Sequence, residues 1–224
     1  MRTSWTVLAL TACLAVTLIG CSRAVDGVAR PDPRKPPVVL TEDAYGIVAG
    51  FDDAPARVDI FTEPQCGRCA ELQADFGDDI SRYLNTGQLA VTYRPLTFLD
   101  DVPNGYSARV SNALFLAADP ESSATAFQAF VQELYAQEEP SGAGPTDDEI
   151  AQMASAAGLP SAVVDRIAGG ESALDVVDMA DTNFEYLFDV NPLDTGTPTV
   201  YDPAHDEIID IYDNEWLSKL IASV

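Results

Sequence analysis

The chain has 224 residues, with 36 Asp and Glu against 12 Lys and Arg and a formal net charge of −24. An acid excess of that size argues against nucleic acid, and against close approach of the folded part to anionic lipid. Four cysteines and one histidine leave too few ligands for a four-ligand structural zinc site once two cysteines are assigned elsewhere.

In chain order, Met1-Arg-Thr carries one positive charge and precedes an uncharged, largely apolar run from Trp5 to Gly20. That run is too short for an ordinary membrane span and has the shape of a secretory signal. Its end, Leu18-Ile19-Gly20-Cys21, resembles the lipobox of bacterial lipoproteins. The resemblance implies that residues 1–20 are a lipoprotein signal peptide and that Cys21 is acylated as the first mature residue. The alternative is a plain signal cut near Ala24 or Ala29, with Cys21 discarded. Either way the mature domain is expected outside the cytoplasm, where disulfides persist. Cys13 leaves with the signal, so Cys66 and Cys69 are the two thiols left free to react. Roughly 200 residues remain, enough for one sizeable domain or a domain with an insertion. Residues 21–37, with Arg30-Pro-Asp-Pro-Arg-Lys-Pro-Pro37, read as a proline-rich tether.

Val38 to Leu40 and Ile47 to Phe51 read as short strands, Asp52 to Pro55 as a turn, and Arg57 to Thr62 as a third strand. A helix over Gly67 to Leu84 puts Leu72, Phe76, Ile80, Tyr83 and Leu84 near one face, and Asn85-Thr-Gly87 stops it. Leu89 to Arg94 alternates as a strand, so strand, helix and strand make a right-handed crossover with a parallel pair. The first half of the domain therefore covers residues 38–103. Strand character then disappears over residues 104–190, which read as an inserted all-helical subdomain. Its helices are Tyr106 to Ala118, Ala124 to Gln137, Ile150 to Ala157, Ser161 to Ala168 and Ala173 to Phe188. Thr146-Asp-Asp-Glu149 is a capping box before the third of these, and Gly158 ends it. Acidic residues such as Asp147, Asp175, Asp178 and Asp181 read as solvated helix faces. Residues 191–224 return to strands up to Tyr201 and over Glu207 to Tyr212, and close with a helix over Trp216 to Ile221. The sum is a central mixed sheet flanked by helices, the α/β arrangement of a thioredoxin-like fold.

The chemistry centres on Phe61-Thr-Glu-Pro-Gln-Cys66-Gly-Arg-Cys69, a strand that runs through a Cys-x-x-Cys into a helix. Two intervening residues let the sulfurs meet within one helical turn. The orphan N–H groups and positive end of the helix favour a thiolate on the first cysteine. Cys66 is the expected nucleophile and Cys69 the more buried resolving thiol. Half a zinc site and a purely structural disulfide remain alternatives to redox chemistry.

That run, the helical insertion and Thr195-Gly-Thr-Pro-Thr-Val200, in this order, resemble the DsbA-like family of extracytoplasmic thiol–disulfide oxidoreductases, from about Val38 to the C-terminus. The resemblance implies that Pro198 is a cis-proline facing the cysteines, and that the Thr197 backbone pairs with an extended substrate strand. It implies reduced or unfolded secreted proteins as substrates, a membrane reoxidase as partner, and a lipid anchor on the outer face of the cytoplasmic membrane. No cofactor, metal or nucleic acid is implied, and a monomer is the default. The dipeptide between the cysteines, Gly67-Arg68, departs from a pattern in which proline follows the first cysteine. Arg68 is expected to set a permanent positive charge beside Cys66. The buried acid that many thioredoxin-like proteins carry before the cysteines is not evident, since Ile60 holds the corresponding place. Glu63 is the nearest carboxylate, read first as a solvated loop residue and second as a proton relay for Cys69. The alternatives in function are a reductase or isomerase, and a non-catalytic binding lipoprotein such as a copper chaperone.

Overall fold

The computed structural model describes residues 34–137 and 142–224. The expected signal peptide, Cys21 and most of the tether lie outside them. Within the described part, the tether's last residues are held by the domain. Arg34 pairs with Asp53 at 3.3 Å and lies over the Phe51 ring, and the Pro36 and Pro37 carbonyls accept from the N–H groups of Ala124 and Gly50.

Six strands form one sheet, β1 (Val38–Leu40), β2 (Ile47–Ala49), β3 (Ala56–Thr62), β4 (Leu89–Pro95), β5 (Thr199–Asp202) and β6 (Glu207–Ile208), in the order β1-β2-β4-β3-β5-β6. β3 and β4 are parallel, with Val58 opposite Val91, and the other pairs are antiparallel. The crossover from β3 to β4 is α1 (Gly67–Asn85). It ends where Gly87 takes φ +70°, and the Gly87 and Gln88 N–H groups return to Leu84 and Tyr83. α2 (Tyr106–Ala117), α3 (Ala124–Ala136), α4 (Asp147–Ala156), α5 (Ser161–Ala168) and α6 (Val176–Val190) follow β4 and precede β5, and α7 (Trp216–Ala222) comes last.

Alternation along β3 divides its side chains between two layers. Val58 and Ile60 join Val91 and Tyr93 of β4 in the larger core with α1, α3 and α7, where Tyr93 meets Phe127 and Phe76 meets Trp216 edge-on. Phe61 faces the opposite layer, in a smaller cluster with Leu187 of α6 and Tyr201 of β5. A polar seam binds α6 to this second face. Arg94 pairs with Asp43 at 2.9 Å and lies 3.7 Å from Asp59, while also donating to Asn183 Oδ1. Asn183 in turn donates to the carbonyls of Tyr45 and Pro95. Burial pushes the Asp59 carboxyl up, and Arg94 opposes that rise.

Several boundaries differ from the sequence reading, and the following differences have local reasons. β2 stops at Ala49 because Gly50 adopts φ +120°. α6 begins at Val176, not Ala173, because Asp175 caps it by accepting from Val177 and Asp178, whereas Ala173 N–H is taken by Asn112. It continues to Val190, and a turn in which Asn191 donates to the Asp194 carbonyl while its own carbonyl accepts from the Thr195 hydroxyl delays β5 to Thr199. β6 is cut to two residues because Asp210 turns the chain, its side chain accepting from the Tyr212 N–H. The capping box at Thr146 and Glu149 is present with both reciprocal bonds, a feature worth about 1 kcal/mol.

Candidate active site

β3 lies between β4 and β5, so the chain leaving it emerges at the middle of the sheet edge. Because Phe61 is opposite Thr199, the residues just before β5 lie beside those just after β3. This register brings Thr197 and Pro198, 131 residues away in the chain from Cys66 in the case of Thr197, onto the cysteine loop. The Thr197–Pro198 peptide is cis. The Cys66 S–H donates to the Thr197 carbonyl at 3.3 Å.

Cys66 is the N-cap of α1, with extended backbone (φ −87°, ψ 106°) and no side-chain cap on the helix. Its carbonyl accepts from the N–H groups of Cys69 and Ala70 at 2.8 and 3.1 Å. Cys66 is half-buried and Cys69 buried, and both are free thiols. The Cys69 thiol donates to the Cys66 sulfur, and this contact does most to lower the Cys66 thiol to about 6. The Thr197 side chain and the N–H groups of Cys69 and Arg68 add to it, against the opposing effect of partial burial. Burial pushes the Cys69 thiol well above its ordinary value, and the neighbouring Cys66 sulfur pushes it further. One sulfur is thus prepared to be a thiolate at neutral pH while the other keeps its proton. In reduced protein the thiolate absorbance should titrate with a midpoint near 6, and Thr197→Val should raise that midpoint by about half a pH unit or more by removing one hydrogen bond to the charged form. An unmoved midpoint would show that the hydroxyl does not face the thiolate.

Glu63 corrects the sequence reading. It is not a solvated loop residue but fully buried, and it is the buried acid that Ile60, itself packed against α1, could not be. Its carboxyl accepts from the Ser107 hydroxyl and, at 2.6 Å, from the Gln65 N–H. Burial raises it to about 7, and the nearby Cys66 and Asp100 charges add to the rise. The cage around it comes from the start of α2. Asp100 caps that helix by accepting from the Ser107 and Ala108 N–H groups, both at 2.8 Å, and holds the Gln65 amide at 2.9 Å. The close approach needs Gly105, where a Cβ would meet the Asp100 Cγ at 2.5 Å.

Arg68 also differs from expectation. Its exposed guanidinium leans away from the sulfur, toward the Tyr212 hydroxyl at 3.4 Å and Glu71 at 3.9 Å. What reaches Cys66 from this residue is its backbone N–H. Gly67 is exposed at the first helical position and leaves the approach to Cys66 open. Sequence reasoning missed Ser107, Gln65 and Asp100 around Glu63. The one available signal was the short spacing of Asp100 ahead of an uncapped glycine helix start. Among the described residues, no group of three or more His, Cys, Asp or Glu is placed to hold a metal ion.

A half-exposed cysteine followed by a buried one at a helix start, facing a cis-proline loop across the end of a central strand, defines a thioredoxin-fold redox-type site. A family model described as Thioredoxin matches residues 42–221, and the chain belongs to that family. The fold is the DsbA-like form. It superposes on MdbA, a thiol-disulfide oxidoreductase from Corynebacterium matruchotii, with a TM-score of 0.68 at 22% identity, covering 83% of this chain and 92% of that one. The MdbA protein from Corynebacterium diphtheriae gives 0.66 at 20% identity, covering 84% and 96%. DsbA from Mycobacterium tuberculosis in its reduced form gives 0.58 at 20%, covering 85% and 92%. Among curated proteins, the serine/threonine-protein kinase PknE of Mycobacterium tuberculosis is 30% identical over 181 residues, 79% of this chain. The chain spans 31% of the length of that relative.

Proposed function

We propose that the protein is a membrane-tethered, extracytoplasmic thiol–disulfide oxidoreductase that introduces or exchanges disulfides in secreted and cell-envelope proteins. The observation that carries this reading is the half-exposed Cys66 sulfur at the start of α1, with Cys69 buried three residues on, facing the Thr197 carbonyl at 3.3 Å beside the cis peptide to Pro198. The thiol–disulfide oxidoreductases among its structural neighbours support it.

In the oxidising direction, a substrate thiolate attacks the Cys66 sulfur of the Cys66–Cys69 disulfide. The S–S bond breaks, Cys69 leaves with the electron pair, and a mixed disulfide joins Cys66 to the substrate. Cys69 then takes up a proton, which its high affinity favours. A second substrate thiolate attacks the substrate sulfur of the mixed disulfide, closing the substrate's own disulfide and releasing Cys66 as a stabilised thiolate. Substrate has lost two electrons and the dithiol has gained them. A membrane reoxidase accepts them to restore the disulfide. Glu63, protonated or charged with comparable ease near neutral pH, serves the proton traffic of Cys69 in both directions. The Thr197 backbone offers its edge to an extended substrate segment, and acylation at Cys21 holds the monomeric domain at the outer face of the membrane.

The test is the equilibrium of the Cys66–Cys69 pair with a glutathione buffer. A potential toward roughly −120 mV marks a disulfide donor, the expected result, because a stabilised thiolate favours the reduced form. A value toward roughly −270 mV would instead mark a reductase fed with electrons, and no exchange at all would leave a binding lipoprotein.

A further inference from the structure

Thr62, the last residue of β3, follows Val58 and Ile60 at intervals of two and so points its side chain into the same layer, under α1 and α3. There its hydroxyl bonds to the Tyr135 hydroxyl of α3, and the same hydroxyl is placed to ease, by hydrogen bonding, the rise that burial imposes on the Cys69 thiol. Thr62 and Tyr135 are both 2% exposed. Tyr135 stands 73 residues away in the chain from Thr62, in the helical segment between β4 and β5. On the facing side of α1, Gly77 leaves room for the Gln132 side chain of α3, which a Cβ there would meet at 2.6 Å.

Resting on the oxidoreductase reading, we propose that Thr62 and Tyr135 form a two-hydroxyl donor chain that positions the Cys69 sulfur and stabilises its thiolate whenever the mixed disulfide at Cys66 forms or closes. The direction follows from counting protons. A thiolate accepts only, so Thr62 must turn its single O–H to the sulfur, and its oxygen is then free to accept from the phenol. The phenol is fitted to that task, since burial and the neighbouring Cys69, Glu63 and Cys66 charges keep it protonated. Charge-assisted bonds of this kind are the strong ones, and a buried site magnifies them. In the closing step, the Cys69 thiolate attacks the Cys66 sulfur of the mixed disulfide. The Cys66–Cys69 bond forms, and the bound thiol leaves with the electron pair. In the opening step the same chain receives the departing Cys69 thiolate. The groups near Cys69 that also respond to pH are Cys66, which is blocked in the mixed disulfide, and Tyr135, which in turn feels the Glu63 charge.

The experiment mixes reduced full-length protein with oxidised glutathione between pH 5 and 9 and traps the reaction with acid. This separates formation of the glutathione adduct on Cys66 from its closure by Cys69. Thr62→Val and Tyr135→Phe should each move the pH profile of closure upward by about one unit, so that closure near neutral pH slows about tenfold. Adduct formation should change less than twofold, and Thr62→Ser should retain the wild-type profile. Closure profiles that stay in place in both variants would overturn the proposal, as would a Thr62→Ser profile displaced as far as that of Thr62→Val. A loss of packing alone would slow closure equally at every pH, and that result also overturns it. Wild-type protein that forms no adduct would instead overturn the oxidoreductase reading itself.

Discussion

Replacing Cys66 with serine should abolish disulfide exchange, with a fall on the order of a thousandfold or more in oxidation of a reduced, unfolded test protein. The size of the loss follows from the asymmetry of the pair. With a midpoint near 6, Cys66 is the sulfur held mainly as thiolate at pH 7, and it is the one open to solvent. Cys69 is buried and keeps its proton, so it cannot substitute. Cys69→Ser should behave differently, forming the mixed disulfide but failing to close it, so that adducts accumulate on Cys66 and are visible by mass. Comparable residual activity in both variants would show that the two sulfurs share the nucleophile's role. The same asymmetry predicts a pH-dependent stability of the reduced protein. A thiol whose folded value is about 6 against an ordinary 9.0 stabilises the fold fully above pH 9, and that stabilisation is lost as the pH falls through 6.

What could be read from the sequence was local. Two cysteines at a strand–helix junction define their own geometry, because the helix start supplies N–H groups wherever such a junction occurs. The alternation of β3 and β4 and the 3.6-residue spacing of Leu72, Phe76 and Ile80 carry their burial with them. The misreadings concern side chains whose surroundings come from distant segments. Glu63 looks solvated in a polar loop. Only the start of α2, brought over it with Ser107 and with Asp100 acting as cap, shuts it away from water. Arg68 looks like a charge beside a sulfur, but a helix points consecutive side chains in different directions, and Tyr212 from the C-terminal segment draws this one outward. The Thr62–Tyr135 contact has no sequence signature. One is a strand-end threonine and the other an aromatic on an apolar helix face, and each alone reads as packing.

Glu63→Gln should make the protein more stable at alkaline pH, although it removes a charged group that the structure holds with hydrogen bonds. Burial and its effect on the carboxyl decide the sign. The carboxyl is fully buried, and its folded value is about 7 against an ordinary 4.5, with burial as the largest cause. A carboxyl that binds its proton more tightly in the fold than in the unfolded chain favours the fold while neutral. That advantage is complete below pH 4.5 and disappears as the pH rises through 7. Above pH 8 the wild type therefore carries a buried negative charge at a cost of about 3 kcal/mol, which the neutral amide does not incur. Denaturant unfolding of both proteins should give nearly equal stabilities near pH 4.5 and diverge in favour of the variant as the pH rises. The divergence should be larger for reduced than for oxidised protein, because the Cys66 thiolate, which adds to the rise, exists only in the reduced form. Stabilities that run parallel from pH 4.5 to 8 would mean that Glu63 is an ordinary, solvated carboxylate after all. The cost of keeping an ionisable acid here is justified by its position between the Ser107 hydroxyl and the cysteine loop. An amide has a single acceptor oxygen for the Gln65 N–H and must donate to the Ser107 oxygen where the carboxylate accepted. It moves no proton, so Glu63→Gln should also slow closure at Cys69, the step that must release one.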